Sequence, residues 1–181
     1  MATTSPVLRA LAFAARKHRD QRRKDPEATP YINHPIAVAD LLANEAGVED
    51  EAVLIAAILH DTIEDTATTS DELCELFGED VAGIVRELTD DKALPKAERK
   101  RLQITHAAHV SPRARLVKLA DKTCNLRDLL ASPPTSWPVE RVVEYFAWAK
   151  AVVDNLRGTH AILEALFDEA YARRESVPAA R

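Results

Sequence analysis

An almost unbroken apolar run, VLIAAIL at residues 53–59, is followed at once by the polar stretch HDTIEDT at residues 60–66. The run is apolar on every side of a helix, which predicts a central helix covered by its neighbours. Ionisable groups that continue such a helix destabilise the fold by several kcal/mol unless they are paired or bound to a metal. The polar stretch therefore has to find partners elsewhere in the chain.

The ionisable side chains of this stretch fall into two pairs if one helix runs from Glu51 to Glu64. His60 then lies one turn before Glu64, and Asp61 lies one turn before Asp65. His60 and Asp61 point about 100° apart, so an ion between these two directions can be chelated by both. We therefore predict a metal site at this end of the helix.

Most other segments of the chain repeat apolar residues at helical spacing, and proline marks many of their ends. Strand-like alternation is scarce, and the charged, proline-broken stretch 19–31 predicts a loop. The 181 residues suit one domain with a substantial core. We predict a single all-α helical bundle of roughly eight helices. Nine segments carry a helical pattern, at residues of about 5–18, 35–47, 51–64, 68–78, 78–91, 95–109, 111–132, 138–157 and 159–173.

Composition narrows the possible partners. A formal net charge of −5 argues against a nucleic-acid-coating protein, which needs a dominant basic surface. Cys74 and Cys124 have no metal-type spacing and are too few for a disulfide framework. No apolar run reaches the ~18 residues of a membrane span, and no signal-peptide pattern opens the chain. We expect a cytoplasmic protein without a nucleic-acid or membrane partner. The composition is still compatible with a small anionic ligand.

Two further residues resemble His60 and Asp61 in their setting. His34 precedes Pro35 at a predicted helix start, where the positive end of the helix dipole favours the neutral, metal-binding imidazole. Asp121 continues an apolar-periodic helix, and its face is shared by Lys118, Asn125 and Asp128. Three helices can thus bring two imidazoles and two carboxylates to one ion.

Each of these residues also has an ordinary interpretation when taken alone. His34 can be a helix cap or a core histidine, and Asp121 can be half of a salt bridge with Lys118 or Lys122. The basic stretch 19–24 can be a solvated charge run, and Tyr145 can be a core residue beside Trp148. The combination favours metal binding, because each candidate ligand sits against an apolar run where an unpaired charge is costly.

The order of these residues, His34, then His60-Asp61, then Asp121, resembles the H…HD…D signature of the HD phosphohydrolase superfamily, an all-helical fold that binds divalent metals. Four stretches are also similar to the hydrolase domain of the RelA/SpoT homologue family, in particular to its small, stand-alone members of the metazoan SpoT homologue type. They are HRDQRRKDPEATPYINHP (18–35), ILHDTIEDT (58–66), ELTDDKALPKAERK (87–100) and LVKLADKTCNLRDL (116–129). The resemblance implies one HD hydrolase domain over residues 1–181, with a core of about 7–172 and a short flexible C-terminal tail.

The resemblance also implies an activity and the residues that carry it. Enzymes of this family hydrolyse the 3′-pyrophosphate of guanosine tetra- and pentaphosphate, (p)ppGpp, to GDP or GTP and pyrophosphate, with one Mn²⁺. The implied catalytic residues, which activate or orient the attacking water, are Glu64 and Asp65. The implied substrate contacts are Arg23, Lys24, Asn125 and Tyr145. The implied metal ligands are His34, His60, Asp61 and Asp121.

Some choices stay open at this level. Two imidazoles and two carboxylates also suit Zn²⁺, Co²⁺ or Fe²⁺. The same scaffold could serve an NADPH 2′-phosphatase or another nucleotide phosphohydrolase, which product analysis separates from a (p)ppGpp hydrolase. It could also serve a non-catalytic nucleotide sensor, although a sensor has no need of Glu64 and Asp65. Nothing in the sequence favours one oligomeric state over another.

Overall fold

The structure is a computed structural model that describes residues 5–177, and helices make up its regular secondary structure. The predicted all-α fold is confirmed. No strand occurs within the described range, where Arg22 and Pro30 form one isolated bridge. The α-helices are α1 Pro6–Lys17, α2 Asn33–Asp40, α3 Glu51–Leu59, α4 Thr62–Asp65, α5 Ser70–Phe77, α6 Glu79–Leu88, α7 Lys96–His106, α8 Pro112–Ala131, α9 Val139–Asp154 and α10 Ala161–Ala172, with a π-helical turn at Leu41–Glu45 and a 3₁₀ turn at Arg173–Ser176.

Several helix ends are fixed by local side-chain chemistry. The hydroxyl of Ser111 accepts a hydrogen bond from the backbone N–H of Ala114 and begins α8. The carboxylate of Asp50 accepts from two backbone N–H groups and begins α3 in the same way. Gly78 separates α5 from α6 with a φ of 87°, a conformation that favours glycine.

The core is built around α3 and α8, which contact each other. Helix α3 also packs against α1, α2 and α6, and α8 also packs against α2, α6, α9 and α10. The charged helix α7 contributes no buried residue and packs on α9. Val177, in the stretch predicted as a flexible tail, packs against the core, whereas residues 178–181 of that tail lie outside the described residues. None of the helices in residues 5–177 has the length and apolar character that crossing a membrane requires.

The predicted continuous helix from Glu51 to Glu64 is wrong at its polar end. Helix α3 stops at Leu59, and α4 starts again at Thr62 after a turn. The His60 ring explains the break, because its Nδ1 bonds at 2.7 Å to the Ala57 carbonyl, which accepts the N–H of residue 61 in a continuous helix. The hydroxyl of Thr62 donates to the Leu59 carbonyl in a similar way.

The second predicted helix also starts earlier than expected. Helix α2 begins at Asn33, two residues before Pro35, so His34 lies within its first turn. Proline is compatible with this position because the first N–H groups of a helix have no intrahelical partner. His34 is thereby fixed to a rigid element that packs against both α3 and α8.

The packing of α10 predicts different effects for two adjacent residues. Leu163 is fully buried, while Ile162 is 50% exposed. Leu163→Ala should lower the free energy of unfolding by about 2–5 kcal/mol, because it removes buried methyl groups and leaves a cavity. Ile162→Ala should change it by less than about 1 kcal/mol. Urea denaturation of both variants measures the difference, and equal effects would contradict this packing of α10.

Candidate metal centre and its cleft

Three of the four predicted metal ligands meet where α2, α3 and α8 converge. His34, His60 and Asp121 each offer a ligand atom, and these atoms all lie within 4.8 Å of one another. Oδ1 of Asp121 lies 3.1 Å from Nε2 of His34 and 3.9 Å from Nε2 of His60. The structure therefore brings together residues that are far apart in sequence, and their metal-binding role stays a prediction.

Asp61 lies beside this group of three. Its Oδ2 is 3.0 Å from Nε2 of His60 and accepts a hydrogen bond from the hydroxyl of Tyr31. The turn between α3 and α4 therefore points Asp61 towards the cluster from the side of His60. Sequence reasoning missed Tyr31, although its position three residues before His34 places it on the same segment.

Both carboxylates of the cluster are held in the ionised form. Burial opposes ionisation of Asp61, but the adjacent His60 outweighs it and holds the pKa of that carboxyl well below its usual range. Burial likewise opposes ionisation of Asp121, and the pair with Lys122 outweighs it and holds the pKa of Asp121 far below normal. Lys122 donates to Oδ2 of Asp121 at 2.8 Å, and Asn125 donates to Oδ1 at 2.6 Å.

The donor set fits a divalent cation. Nε2 of His60 is buried and has no hydrogen-bond partner, and Nε2 of His34 lies 3.1 Å from Oδ1 of Asp121, so each ring turns a nitrogen to the cluster. Nδ1 of His34 is also buried without a hydrogen-bond partner, but it lies on the side of Asp128, 3.9 Å from Oδ2 of that residue. The other nitrogen of His60 is fixed by the Ala57 carbonyl, so Nε2 faces the carboxylates. Such a set of imidazole and carboxylate groups is typical of first-row divalent metals, and the fixed second nitrogen is the usual support for a ligating histidine.

The acidic pair that follows the cluster is divided between two environments. Glu64 lines the inner cavity next to the cluster, where burial raises its pKa and repulsion from Asp61 and Asp90 adds to the rise. Its Oε2 accepts the backbone N–H of Asp90 at 3.3 Å. Asp65 is directed to an outer cleft. The two carboxylates are therefore not equivalent, which their shared spacing in the sequence did not indicate.

Both oxygens of Asp65 already have partners. Nζ of Lys92 donates to Oδ1 at 2.5 Å, and Nε2 of Gln21 donates to Oδ2 at 2.8 Å. Gln21 is oriented in turn by Nδ1 of His18, 2.6 Å from its Oε1. His18 is buried in the core, and its contact with Gln21 links it to the site. No spacing signal pointed to this link.

The inner cavity, about 170 Å³ in volume, shares Arg23, Tyr31, His34 and Asn125 with an outer cleft of about 630 Å³. The predicted substrate contacts line this connected space, with Lys24 and Tyr145 on the outer cleft. Arg23 is paired with Asp128 and also donates to Asn125 at 3.3 Å. Asn125 thus links Arg23 to the candidate ligand Asp121, while Tyr145 packs between Trp137 and Trp148.

Comparison with known proteins agrees with this arrangement. A family model described as the HD domain matches residues 10–145. The guanosine-3′,5′-bis(diphosphate) 3′-pyrophosphohydrolase MESH1 of Xenopus tropicalis is 59% identical over 165 residues, 91% of this chain and 92% of that protein. The human protein of the same name is 58% identical over 168 residues, 93% of this chain and 94% of that protein.

A solved structure gives the same result in three dimensions. It is described as a metazoan orthologue of SpoT that hydrolyses ppGpp, and it matches with a TM-score of 0.92 and 55% sequence identity. The match covers 97% of this chain and 99% of that one. The chain therefore belongs to the HD-domain hydrolase family of the metazoan SpoT homologues.

Proposed function

We propose that this chain is a (p)ppGpp 3′-pyrophosphohydrolase that uses one Mn²⁺ ion and forms GDP or GTP and pyrophosphate. The observation that carries the proposal is a single cavity that is lined by the candidate metal ligands His34, His60 and Asp121 and also by the half-buried Glu64. The names of the similar proteins supply the substrate. The same proposal treats residues of about 7–172 as one hydrolase domain acting in the cytoplasm.

The outer cleft has the chemistry that a phosphorylated purine nucleoside requires. Arg22, Arg23 and Lys24 line it with positive charge, although the chain as a whole carries a formal charge of −5. Trp137 and Tyr145, whose ring centroids are 5.9 Å apart, give the cleft an aromatic wall. The basic side chains would bind phosphates, and the aromatic wall would accept the guanine ring.

In the proposed reaction, a water oxygen attacks the phosphorus next to the ribose, and the bond from that phosphorus to the ribose 3′ oxygen breaks. A divalent cation held by His34, His60, Asp61 and Asp121 would neutralise phosphate charge and lower the pKa of water. Asp121 is prepared for this role because Lys122 and Asn125 fix both of its oxygens. Tyr31 fixes Asp61 in the same manner.

Glu64 is the better candidate to carry the proton. Its pKa is raised by burial and by neighbouring carboxylates, which moves its proton affinity towards that needed near neutral pH. It would take a proton from the attacking water, and that proton would then be available to the ribose oxygen. Asp65, bound by Lys92 and Gln21, would act as a fixed acceptor that orients the water or the substrate.

Product analysis tests the function directly. Purified protein with Mn²⁺ should convert ppGpp to GDP and pyrophosphate, and pppGpp to GTP and pyrophosphate, as resolved by anion-exchange chromatography. A parallel incubation with NADPH separates the alternative, because a 2′-phosphatase releases orthophosphate and NADH. Intact ppGpp together with orthophosphate release from NADPH would refute the proposal. Nucleotide binding without any turnover would favour a sensor.

The two acidic residues should differ in their contribution to turnover. Glu64→Gln should lower kcat by about 10²–10⁴-fold, because it removes the proton carrier. Asp65→Asn should have a smaller effect, about 10–100-fold, because it alters an orienting contact. Steady-state kinetics with ppGpp measures both variants, and Glu175→Gln, on the exposed 3₁₀ turn, is the control. A larger loss in Asp65→Asn would reverse the proposed roles.

Manganese binding to the metal-free protein should release a proton. Burial disfavours the His60 imidazolium, but attraction from Asp61 outweighs it and raises the pKa of His60 to about 9. At pH 7.5 this ring is protonated, and it must lose its proton to ligate a cation. Affinity should therefore increase with pH up to about 9 and decrease in more acidic solution.

Calorimetric titration with MnCl₂ in HEPES and in Tris measures the released proton, since the two buffers have different ionisation enthalpies. His60→Gln should abolish tight binding, whereas His109→Gln, an exposed histidine on another part of the chain, should leave it unchanged. A binding enthalpy that is independent of the buffer would contradict proton release.

A further inference from the structure

Lys118 is a buried cation that the roles assigned so far do not use. It lies on α8, is 6% exposed, and lines the inner cavity together with Glu64, His60 and Asp121. Within residues 5–177, its ammonium makes no ion pair with a carboxylate and no side-chain hydrogen bond. The charges that act most strongly on it are those of Lys122, Asp121, Asp90 and Glu64.

The other cations of the inner cavity are already engaged. Lys122 donates to Asp121 at 2.8 Å and lies 4.8 Å from the centre of the Trp148 ring. Arg23 is paired with Asp128 and bonded to Asn125. Among the described residues that line this cavity, Lys118 is therefore the cation without an ion-pair partner.

A buried ammonium without a partner destabilises a fold by several kcal/mol. Burial lowers the pKa of Lys118 to about 8, and repulsion from Lys122 acts in the same direction as burial. Attraction from Asp121, Asp90 and Glu64 only partly opposes these effects. A methionine or leucine would fill the same space without the free-energy cost of burying a charge. A lysine at this position is therefore explained if a bound ligand supplies negative charge.

We propose that Lys118 is a catalytic residue that binds a non-bridging oxygen of the phosphoryl group under attack. The inference rests on the proposed function, because that function places an anionic phosphorus centre in the cavity that Lys118 lines. The ammonium keeps its proton throughout. It neutralises charge on the phosphoryl oxygens while the bond from water forms and the bond to the ribose oxygen breaks.

Lys118→Met tests this role in the manganese-loaded protein with ppGpp as substrate. The variant keeps the aliphatic packing and removes the charge, so kcat/KM should fall by about 10²–10³-fold, with most of the loss in kcat. The melting temperature should stay the same or rise, because an unpaired buried charge has been removed. The manganese content should remain that of the unaltered protein.

Two further variants accompany Lys118→Met, a second substitution at the same position and a surface control. Lys118→Gln should reproduce the kinetic loss with a different side chain, so the conclusion does not depend on the folding of one variant. Lys150→Met removes a surface lysine paired with Asp154 and should keep full activity. Inhibition by the product pyrophosphate should weaken at least tenfold in Lys118→Met, since the contacted oxygens leave with pyrophosphate.

The possible results distinguish a failure of the proposed function from a failure of the proposed role of Lys118. If the unaltered protein hydrolyses ppGpp and both Lys118 variants retain its kcat/KM, the role of Lys118 is refuted while the function stands. Loss of activity together with a lower melting temperature or lost manganese would show a structural role and would also refute it. If the unaltered protein leaves ppGpp intact, the proposed function fails and the inference fails with it.

Discussion

Two carboxylates have to remain ionised at the buried junction of α2, α3 and α8, and much of the site serves this requirement. Asp121 is neutralised by Lys122 and bonded by Asn125, and Asp61 is bonded by Tyr31. Without such partners, buried carboxylates would take up protons or weaken the core. The same partners leave the side of the carboxylates that faces His60 and His34 available, which is where a cation would complete the charge balance.

The interruption after Leu59 gives the acidic residues of α4 their separate environments. In a continuous helix, Glu64 would follow His60 and Asp65 would follow Asp61 along two parallel lines. The turn at residues 60–61 lets Glu64 enter the inner cavity while Asp65 contacts Lys92 and Gln21 at the outer cleft. The bond from the His60 ring to the Ala57 carbonyl interrupts the helix, and this interruption also positions the acidic residues about one turn later.

The sequence predicted the all-α fold and the residues that meet at the cluster, because both depend on local pattern. Apolar periodicity determined most helices, and polar residues placed against apolar runs indicated His34, His60 and Asp121. The broken helix could not be predicted, because it follows from one ring bonding to a carbonyl three residues earlier. Tyr31 and Gln21 were also missed, since their roles depend on how the loop 19–31 folds over α4. The pairing of Arg23 with Asp128 depends on the same packing.

The state of the cations suggests how binding and turnover are divided within the cleft. Arg23 is paired with Asp128 before any ligand arrives, so a phosphate that binds this guanidinium competes with that carboxylate for its charge. The exchange of one charged partner for another yields little net affinity but selects for a group that can match the planar guanidinium. Lys118 has no such carboxylate partner to exchange. The free-energy cost of removing its ammonium from water arises when the protein folds and not when the substrate binds. The ammonium of Lys118 can therefore interact most strongly with the phosphoryl oxygens when their negative charge is greatest. Such an interaction contributes more to turnover than to the affinity for the substrate.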